Sequence, residues 1–526
     1  MRRSTTALAA FAVVVAACSS ADPAATLSVA PTVSTTAAPA STTTAAPEAA
    51  APWWQGRVFY EVFVRSFQDS DGDGIGDLGG LIDRLDYLND GDPTTADDLG
   101  VTGIWLMPIM SSPSYHGYDV TDYRKVNFQY GTNDEFRQLL AAAHERGIAV
   151  IVDLVLNHTS KSHPWFSKSF LGQDGFDDWY LWEDRPPGAG WHGLGDLSYF
   201  GLFWEGMPDL NLENPEVTAE LNDIADFWLT DMGVDGFRLD AVKHFIEDGP
   251  VTESTPATLE WAAGFNDHTE SVKPGALTVG EIWNDTRIVS TYIPDSVDLA
   301  FEFTFAAEVL GAVQAGSART LAVAMQTILD LYPRGQFAPF LGNHDQDRVA
   351  SVLVGDASKG KLVASLLLTS PGVPFMYYGE EIGLRGRKPD ERIRTPMPWD
   401  GSANGGFSAV APWEPFDSDP GEVNVAAQHD DAGSLLNHYR ALIQLRNTVP
   451  ALRAGWMTII ESGNDAVYAF TRQTDEQTVL VVVNLDKDPQ PYELAVSVAG
   501  GRQLFGDPWA FGTELPGRST TIVELP

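Results

Sequence analysis

The chain has 526 residues, 44% of them hydrophobic and 20% charged, a composition that supports a sizeable core and excludes both a disordered protein and a small disulfide-stapled module. Its 33 Lys plus Arg against 72 Asp plus Glu leave a formal charge of -39, which repels a phosphate backbone and excludes nucleic acid as a general partner. The 15 Trp, 15 Tyr and 26 Phe supply flat apolar rings for a core and for the lining of a groove.

In chain order, Arg2 and Arg3 precede an apolar run from Ala7 to Ala17 that ends at Cys18, the only cysteine. A charged start followed by so short an apolar stretch reads as an export signal and is too short to span a bilayer. Val15-Ala16-Ala17-Cys18 is similar to the lipobox of bacterial lipoproteins. That resemblance implies removal of residues 1–17, lipid attachment at Cys18, and an extracellular protein held to the membrane by its lipid alone. Residues 18–51 are almost entirely Ala, Thr, Ser and Pro, without apolar periodicity, and form a solvated tether. Folding starts near Trp53.

From there, short apolar runs alternate with helical patterns, the signature of a parallel sheet built from βα units. The runs are Val58 to Val64, Gly103 to Pro108, Ile148 to Leu156, Val234 to Asp240, Leu277 to Ile282, Leu299 to Phe305, Phe337 to Leu341 and Val373 to Tyr378. Eight of them predict an α/β fold, a closed (β/α)8 TIM barrel. Helices are predicted over Asp134 to Arg146, with Phe136, Leu139, Leu140 and Ala143 on one face, and over Ala219 to Met232, with Ile224, Phe227 and Trp228. The interval Asn157 to Val217 far exceeds a usual connection of about 2 to 6 residues and reads as an inserted small domain after the third strand. Past Gly455 the pattern alternates, as in Thr478 to Asn484, and predicts a C-terminal antiparallel β-sandwich. The expected division is a barrel over 52–158 and 217–452, an inserted domain over 159–216 and a β domain over 453–526.

The loop after the first strand, Asp69-Ser-Asp71-Gly-Asp73-Gly-Ile75-Gly-Asp77, has metal-ligand spacing. Acids at positions 1, 3, 5 and 9, a glycine at 6 and a backbone carbonyl at 7 follow the calcium loop of an EF-hand. The match stops at position 12, Gly80, so Asp77 closes the set. Oxygen-only ligands favour Ca²⁺.

Polar clusters stand where the predicted strands end, the face on which such barrels place their chemistry. These are Asp153 to His158, Gly236-Phe-Arg238-Leu-Asp240-Ala-Val-Lys243-His244, Gly280-Glu281-Ile-Trp283 and Gly342-Asn343-His344-Asp345. Cleavage of a glycosidic bond needs two carboxyls, one a nucleophile or base and one a proton donor; Asp240 and Glu281 are the candidates. Arg238, two residues before Asp240, faces the same way on a strand and favours its ionised form, while an apolar neighbour such as Trp283 helps Glu281 keep a proton.

In order and spacing these clusters, with Met207-Pro-Asp209-Leu-Asn211, closely resemble the α-amylase family of glycoside hydrolases over nearly all of the chain after Trp53. The nearest pattern is the bacterial α-amylase group intermediate between oligo-1,6-glucosidases and neopullulanases. The resemblance implies Asp240 as nucleophile, Glu281 as general acid then base, and Asp345 as a third carboxylate gripping the sugar. It implies His158 and His344 as binders of sugar hydroxyls, Tyr118 as an aromatic platform, and Lys243 with His244 as holders of the leaving-group sugars. The loop Asp69, Asp71, Asp73, Ile75 and Asp77 matches the calcium loop of many members. Ala241, Lys243 and His244 point to α-1,4 cleavage, and Tyr115, where exo-acting oligo-1,6-glucosidases carry an Asp, points to an open donor end. The implied activity is internal hydrolysis of α-1,4 bonds in starch-like glucans with retention of configuration. Arg394-Thr-Pro-Met-Pro-Trp399-Asp400 departs toward the glucosidases and keeps an exo-acting α-glucosidase or a trehalose-forming transglycosylase as alternatives. A non-catalytic sugar-binding protein is the alternative of a different class, opposed by the intact Asp240, Glu281 and Asp345.

Overall fold

The computed structural model describes residues 51–173, 175–506 and 514–526; the export signal, the tether up to residue 50 and Cys18 lie outside the described residues. Strands β1 (Phe59–Val62), β2 (Gly103–Leu106), β3 (Ala149–Leu154), β4 (Gly236–Leu239), β5 (Leu277–Gly280), β6 (Leu299–Ala300) and β7 (Phe375–Tyr377) form one curled sheet in the order β6-β5-β4-β3-β2-β1-β7. Every pairing is parallel. Each strand is buried on both faces, which is why the runs read as continuously apolar rather than alternating.

The run Phe337 to Leu341, expected as a full strand, makes a single parallel bridge from Ala338 to Phe301. Pro339 has no N–H to offer a ladder. The segment still closes the barrel, because Ala338 N–H donates to Ala300 O at 2.9 Å, Val373 N–H to Phe337 O at 3.0 Å and Phe375 N–H to Pro339 O at 2.9 Å. The sixth run is shorter than expected for a different reason: Glu302 caps a helix over Phe303–Ala315, accepting from Thr304 N–H. The predicted helix after β2 spans Asn133–Glu145 behind a capping box of Thr132 and Glu135. The one before β4 spans Pro215–Asp226 and continues as a π-helical turn over Phe227–Met232.

Side-chain alternation then sets what fills the barrel. Phe59, Trp105, Ile151, Val279, Phe301 and Phe375 form one apolar cluster, whereas Tyr60, Ile104, Val150 and Val152 belong to the other cluster, with the helices. Two residues on from Phe59, Ile151 and Val279 come Glu61, Asp153 and Glu281, so the same parity builds a polar layer above an apolar plug.

Between β3 and β4 lies a three-stranded antiparallel sheet of Trp182–Glu183, Leu197–Phe200 and Trp191–Leu194. It is joined to the barrel mouth by bridges from His158 to Asp209 and Tyr180 to Leu210. The C-terminal part is a five-stranded antiparallel sheet with a small two-stranded sheet, Gln490–Pro491 with Glu514–Leu515. The buried Arg472 donates to Thr369 O at 2.6 Å and Gly455 O at 3.0 Å, fastening that sheet to the barrel.

Candidate active site

The polar layer opens into a cleft of about 660 Å³ lined by Tyr118, His158, Asp240, Lys243, His244, Glu281, Trp283 and Asp345 among others. Its floor is organised by Arg238, whose side chain is 1% exposed. Nη1 reaches Asp153 Oδ1 at 2.9 Å and Asp240 Oδ1 at 2.8 Å, and Nη2 reaches Glu281 Oε2 at 2.8 Å. One planar fork thus holds three carboxyls from three adjacent strands, a geometry a lysine ammonium does not reproduce.

Burial pushes the Glu281 carboxyl up to about 7 against the pull of Arg238, and the neighbouring charges of Asp240 and Asp345 add to the rise. Trp283 lines the same cleft, half exposed and with its ring stacked on Phe303 at 4.8 Å. Burial also raises Asp240, while Arg238 opposes that rise both as a charge and as a donor. Asp345 goes the other way. Burial works against its ionisation, but His344, Arg394, Arg238 and Lys388 hold it at about 2, Arg394 through an Nη2 contact of 2.8 Å. The cleft therefore contains a carboxyl, Glu281, that keeps a proton near neutrality, beside Asp240, whose ionisation Arg238 supports, and a third carboxyl, Asp345, that stays ionised.

Ala241, next to Asp240, is left-handed with φ 52, a strained conformation for a residue with a Cβ. The strain turns its N–H to Glu281 Oε2 at 3.3 Å. His158 is buried, held neutral by burial with its pKa down at about 3, and its Nε2 has no partner. Lys243 Nζ donates to Glu253 at 2.6 Å and to Trp283 O at 3.0 Å; His244 Nδ1 lies 2.6 Å from Thr252 O. Tyr118 lies with its ring stacked on His344 at 5.4 Å and its hydroxyl 2.6 Å from His344 Nε2.

Besides Arg394 and Lys388 around Asp345, three contributors carried no assigned role from sequence. Glu61, from β1, lies 2.6 Å from His344 Nδ1; its only sequence signal is an acid inside an apolar run. Asp153 belonged to a recognised cluster without a job. Phe203, from the inserted domain, is exposed at the cleft, 5.2 Å from the His158 ring and 5.8 Å from the His244 ring. Tyr115 is turned onto Trp413, stacked at 5.3 Å.

In the acidic loop, Asp69, Asp71 and Asp77 each bring an oxygen within 4.8 Å of the others, and burial together with Asp73, Asp77 and Asp69 raises Asp71. Such a donor set fits a hard cation such as Ca²⁺. Asp73 is not among the three; its carboxylate accepts from Ile75 N–H at 2.8 Å. Asp69 also accepts from Gly72 and Gly74 N–H, and Asp77 from Gly80 N–H as the cap of the next helix.

Residues 61–455 match the family model for the alpha amylase catalytic domain, and residues 457–506 the maltogenic amylase C-terminal domain. Alpha-amylase 3 of Dictyoglomus thermophilum is 37% identical over 83% of this chain and 86% of its own length. A trehalose synthase/amylase of Mycobacterium tuberculosis is 35% identical over 84% and 83%. The crystal structure of alpha-amylase from H. orenii superposes with a TM-score of 0.80 at 42% identity, covering 89% of this chain and 99% of that one.

Proposed function

The chain belongs to the α-amylase family, whose members act on α-glucosidic sugars, and from that premise we propose that it is an α-amylase, hydrolysing internal α-1,4 bonds of starch-like glucans with retention. The observation that carries the reading is the Arg238 fork, which presents an ionisable Asp240 and a proton-holding Glu281 to one cleft.

Asp240 Oδ attacks the anomeric carbon as Glu281 gives its proton to the leaving glycosidic oxygen, so one C–O bond forms while another breaks. Glu281, now ionised, takes a proton from water. That water displaces Asp240 and restores both carboxyls. Asp345, kept ionised by Arg394, favours the positive charge that develops on the sugar ring in the transition state of each step. His158 Nε2, buried and unpartnered, is completed by a sugar hydroxyl. Phe203, Lys243, His244 and Trp283 receive the leaving sugars. Tyr115, bearing no carboxylate, leaves the donor end unsealed.

A time course on soluble starch with chain-length analysis tests the reading. Early fragments of many sizes are expected. Glucose alone from the first minutes favours the exo-acting alternative, and conversion of maltose to trehalose favours transfer.

A cation in the acidic loop supplies charge neutralisation that joins Asp69, Asp71 and Asp77. Ca²⁺ is expected to raise the melting temperature, since a ligand held only by the folded state at 100 times its Kd adds about 2.7 kcal/mol. Asp71→Ala is the cleaner probe, because Asp71 is exposed and gives up one backbone contact, from Asp73 N–H at 3.2 Å, whereas Asp69 and Asp77 each satisfy several backbone N–H groups whose loss would destabilise the fold on its own account. It should abolish the Ca²⁺-dependent rise in melting temperature. A rise as large as in the native protein, measured by calorimetry, removes Asp71 from the site.

No helix among the described residues is long and apolar enough to cross a membrane. The lipobox-like Val15-Ala16-Ala17-Cys18 supports an extracellular enzyme anchored by a lipid on Cys18, and Cys18→Ser is expected to lose fatty-acid label in metabolically labelled cells; label retained by the variant contradicts the anchor.

A further inference from the structure

Glu61 reaches none of the cleft's lining residues except through His344, and its side chain is 2% exposed. The donors and acceptors around it fix His344 Nε2 as a donor, an atom that also faces Asp345 Oδ2 at 3.3 Å. Asp153 receives Arg238 Nη1 on both oxygens, at 2.9 and 3.0 Å, and Trp105 Nε1 at 3.3 Å, so it is an acceptor. The Tyr118 hydroxyl, 3.0 Å from Asp153 Oδ2, must donate its only hydrogen there. His344 Nε2, 2.6 Å from the same hydroxyl oxygen, must then carry the hydrogen of that bond. A neutral ring with Nε2–H presents a lone pair at Nδ1, and the atom facing Nδ1 at 2.6 Å is Glu61 Oε1.

On this ordering we propose that Glu61 is a positioning residue of the site, a protonated acid that donates to His344 Nδ1 and thereby fixes Nε2 as a donor at the head of a chain running through Tyr118 to Asp153. The proposal deepens the reading above, since it names what locks the sugar platform and the hydroxyl-binding histidine into one unit. Burial agrees with the proton's place. It raises the Glu61 carboxyl well above the usual range, with Asp345 and Asp153 adding to the rise and Arg238 opposing it, and it lowers His344. Should the proton cross to the ring, the pair remains neutral overall and Nε2 remains a donor, so the consequence for the sugar is unchanged. Without Glu61, nothing else among the described residues pairs with Nδ1 to exclude the other tautomer, in which Nε2 becomes an acceptor and the bond to Tyr118 competes with the one to Asp153.

Two variants separate positioning from bulk packing. Glu61→Gln keeps an N–H that donates to Nδ1, and Glu61→Leu fills similar space with no donor. With α-glucosyl fluoride as substrate, Glu61→Gln is expected to lose only a few-fold in kcat/KM, and Glu61→Leu about 10- to 100-fold, the cost of one buried hydrogen bond in a charged network. The second readout needs no turnover. In ¹⁵N-histidine-labelled protein, with His344 assigned by its absence from His344→Asn, Nε2 should be protonated in the native chain and in Glu61→Gln. An unprotonated Nε2 in the native protein, or Glu61→Gln as damaged as Glu61→Leu, overturns the proposal, the ring measurement deciding alone if Glu61→Leu fails to fold. Failure of the native enzyme to turn over the fluoride would count instead against the assigned reaction, and the state of Nε2 would still decide the role of Glu61.

Discussion

Asp240→Asn lowers kcat by roughly 10³- to 10⁵-fold, and Glu281→Gln by a comparable factor with natural glucans, while both variants still bind substrate. The two losses have different causes, and substrates tell them apart. Asn cannot form the glycosyl ester, so Asp240→Asn is inactive with every leaving group. Gln cannot protonate a departing sugar, but fluoride departs without a proton, so Glu281→Gln retains far more of its first step with α-glucosyl fluoride than with starch. The pH profile follows from the same assignment. Glu281, held at about 7 by burial and by its acidic neighbours, must be protonated to act, so activity with starch falls as pH rises through that value. The acid limb belongs to the Asp240 group as it takes up a proton. Glu281→Gln should lose the alkaline limb with the fluoride substrate. Near native turnover of starch by either variant would remove that residue from its role.

The barrel was readable because each of its strands is buried on both faces, which leaves apolar runs that stand out from amphipathic helices. Pro339 marks where that reading overreached: an apolar stretch has the hydrophobicity of a strand, but the ladder depends on N–H groups that hydropathy does not report. The strand-end residues Arg238, Asp240 and Glu281 were legible because their spacing on a strand aims them at one mouth. Glu61 was not. It is 283 residues from His344, and an acid in an apolar run acquires meaning only when closure of the barrel sets it against a partner. In the acidic loop the structure brings Asp69, Asp71 and Asp77 together but not Asp73, a difference the alternate spacing of the acids does not report, because the same acids also accept local backbone N–H groups.

Arg238 carries the other large expectation, because among the described residues it is the cation that pairs with Asp153, Asp240 and Glu281 alike. Removing one partner from a buried ion network costs roughly 3–5 kcal/mol, as the remaining charges lose their compensation without regaining water. Arg238→Met should therefore unfold at clearly lower denaturant and have negligible activity. Arg238→Lys is the sharper variant, since it restores the charge but not the fork: stability should recover in part, and turnover should stay low because an ammonium cannot hold Asp240 and Glu281 in register together. Its residual activity should also titrate differently. With the positive charge less well placed, both carboxyls hold their protons to higher pH, so the nucleophile ionises later and the acid is lost later, and the whole bell-shaped profile moves toward alkaline pH. An Arg238→Lys enzyme with the native profile and near native kcat would mean that the fork does not set the two carboxyls, and that their ionisation is fixed by burial alone.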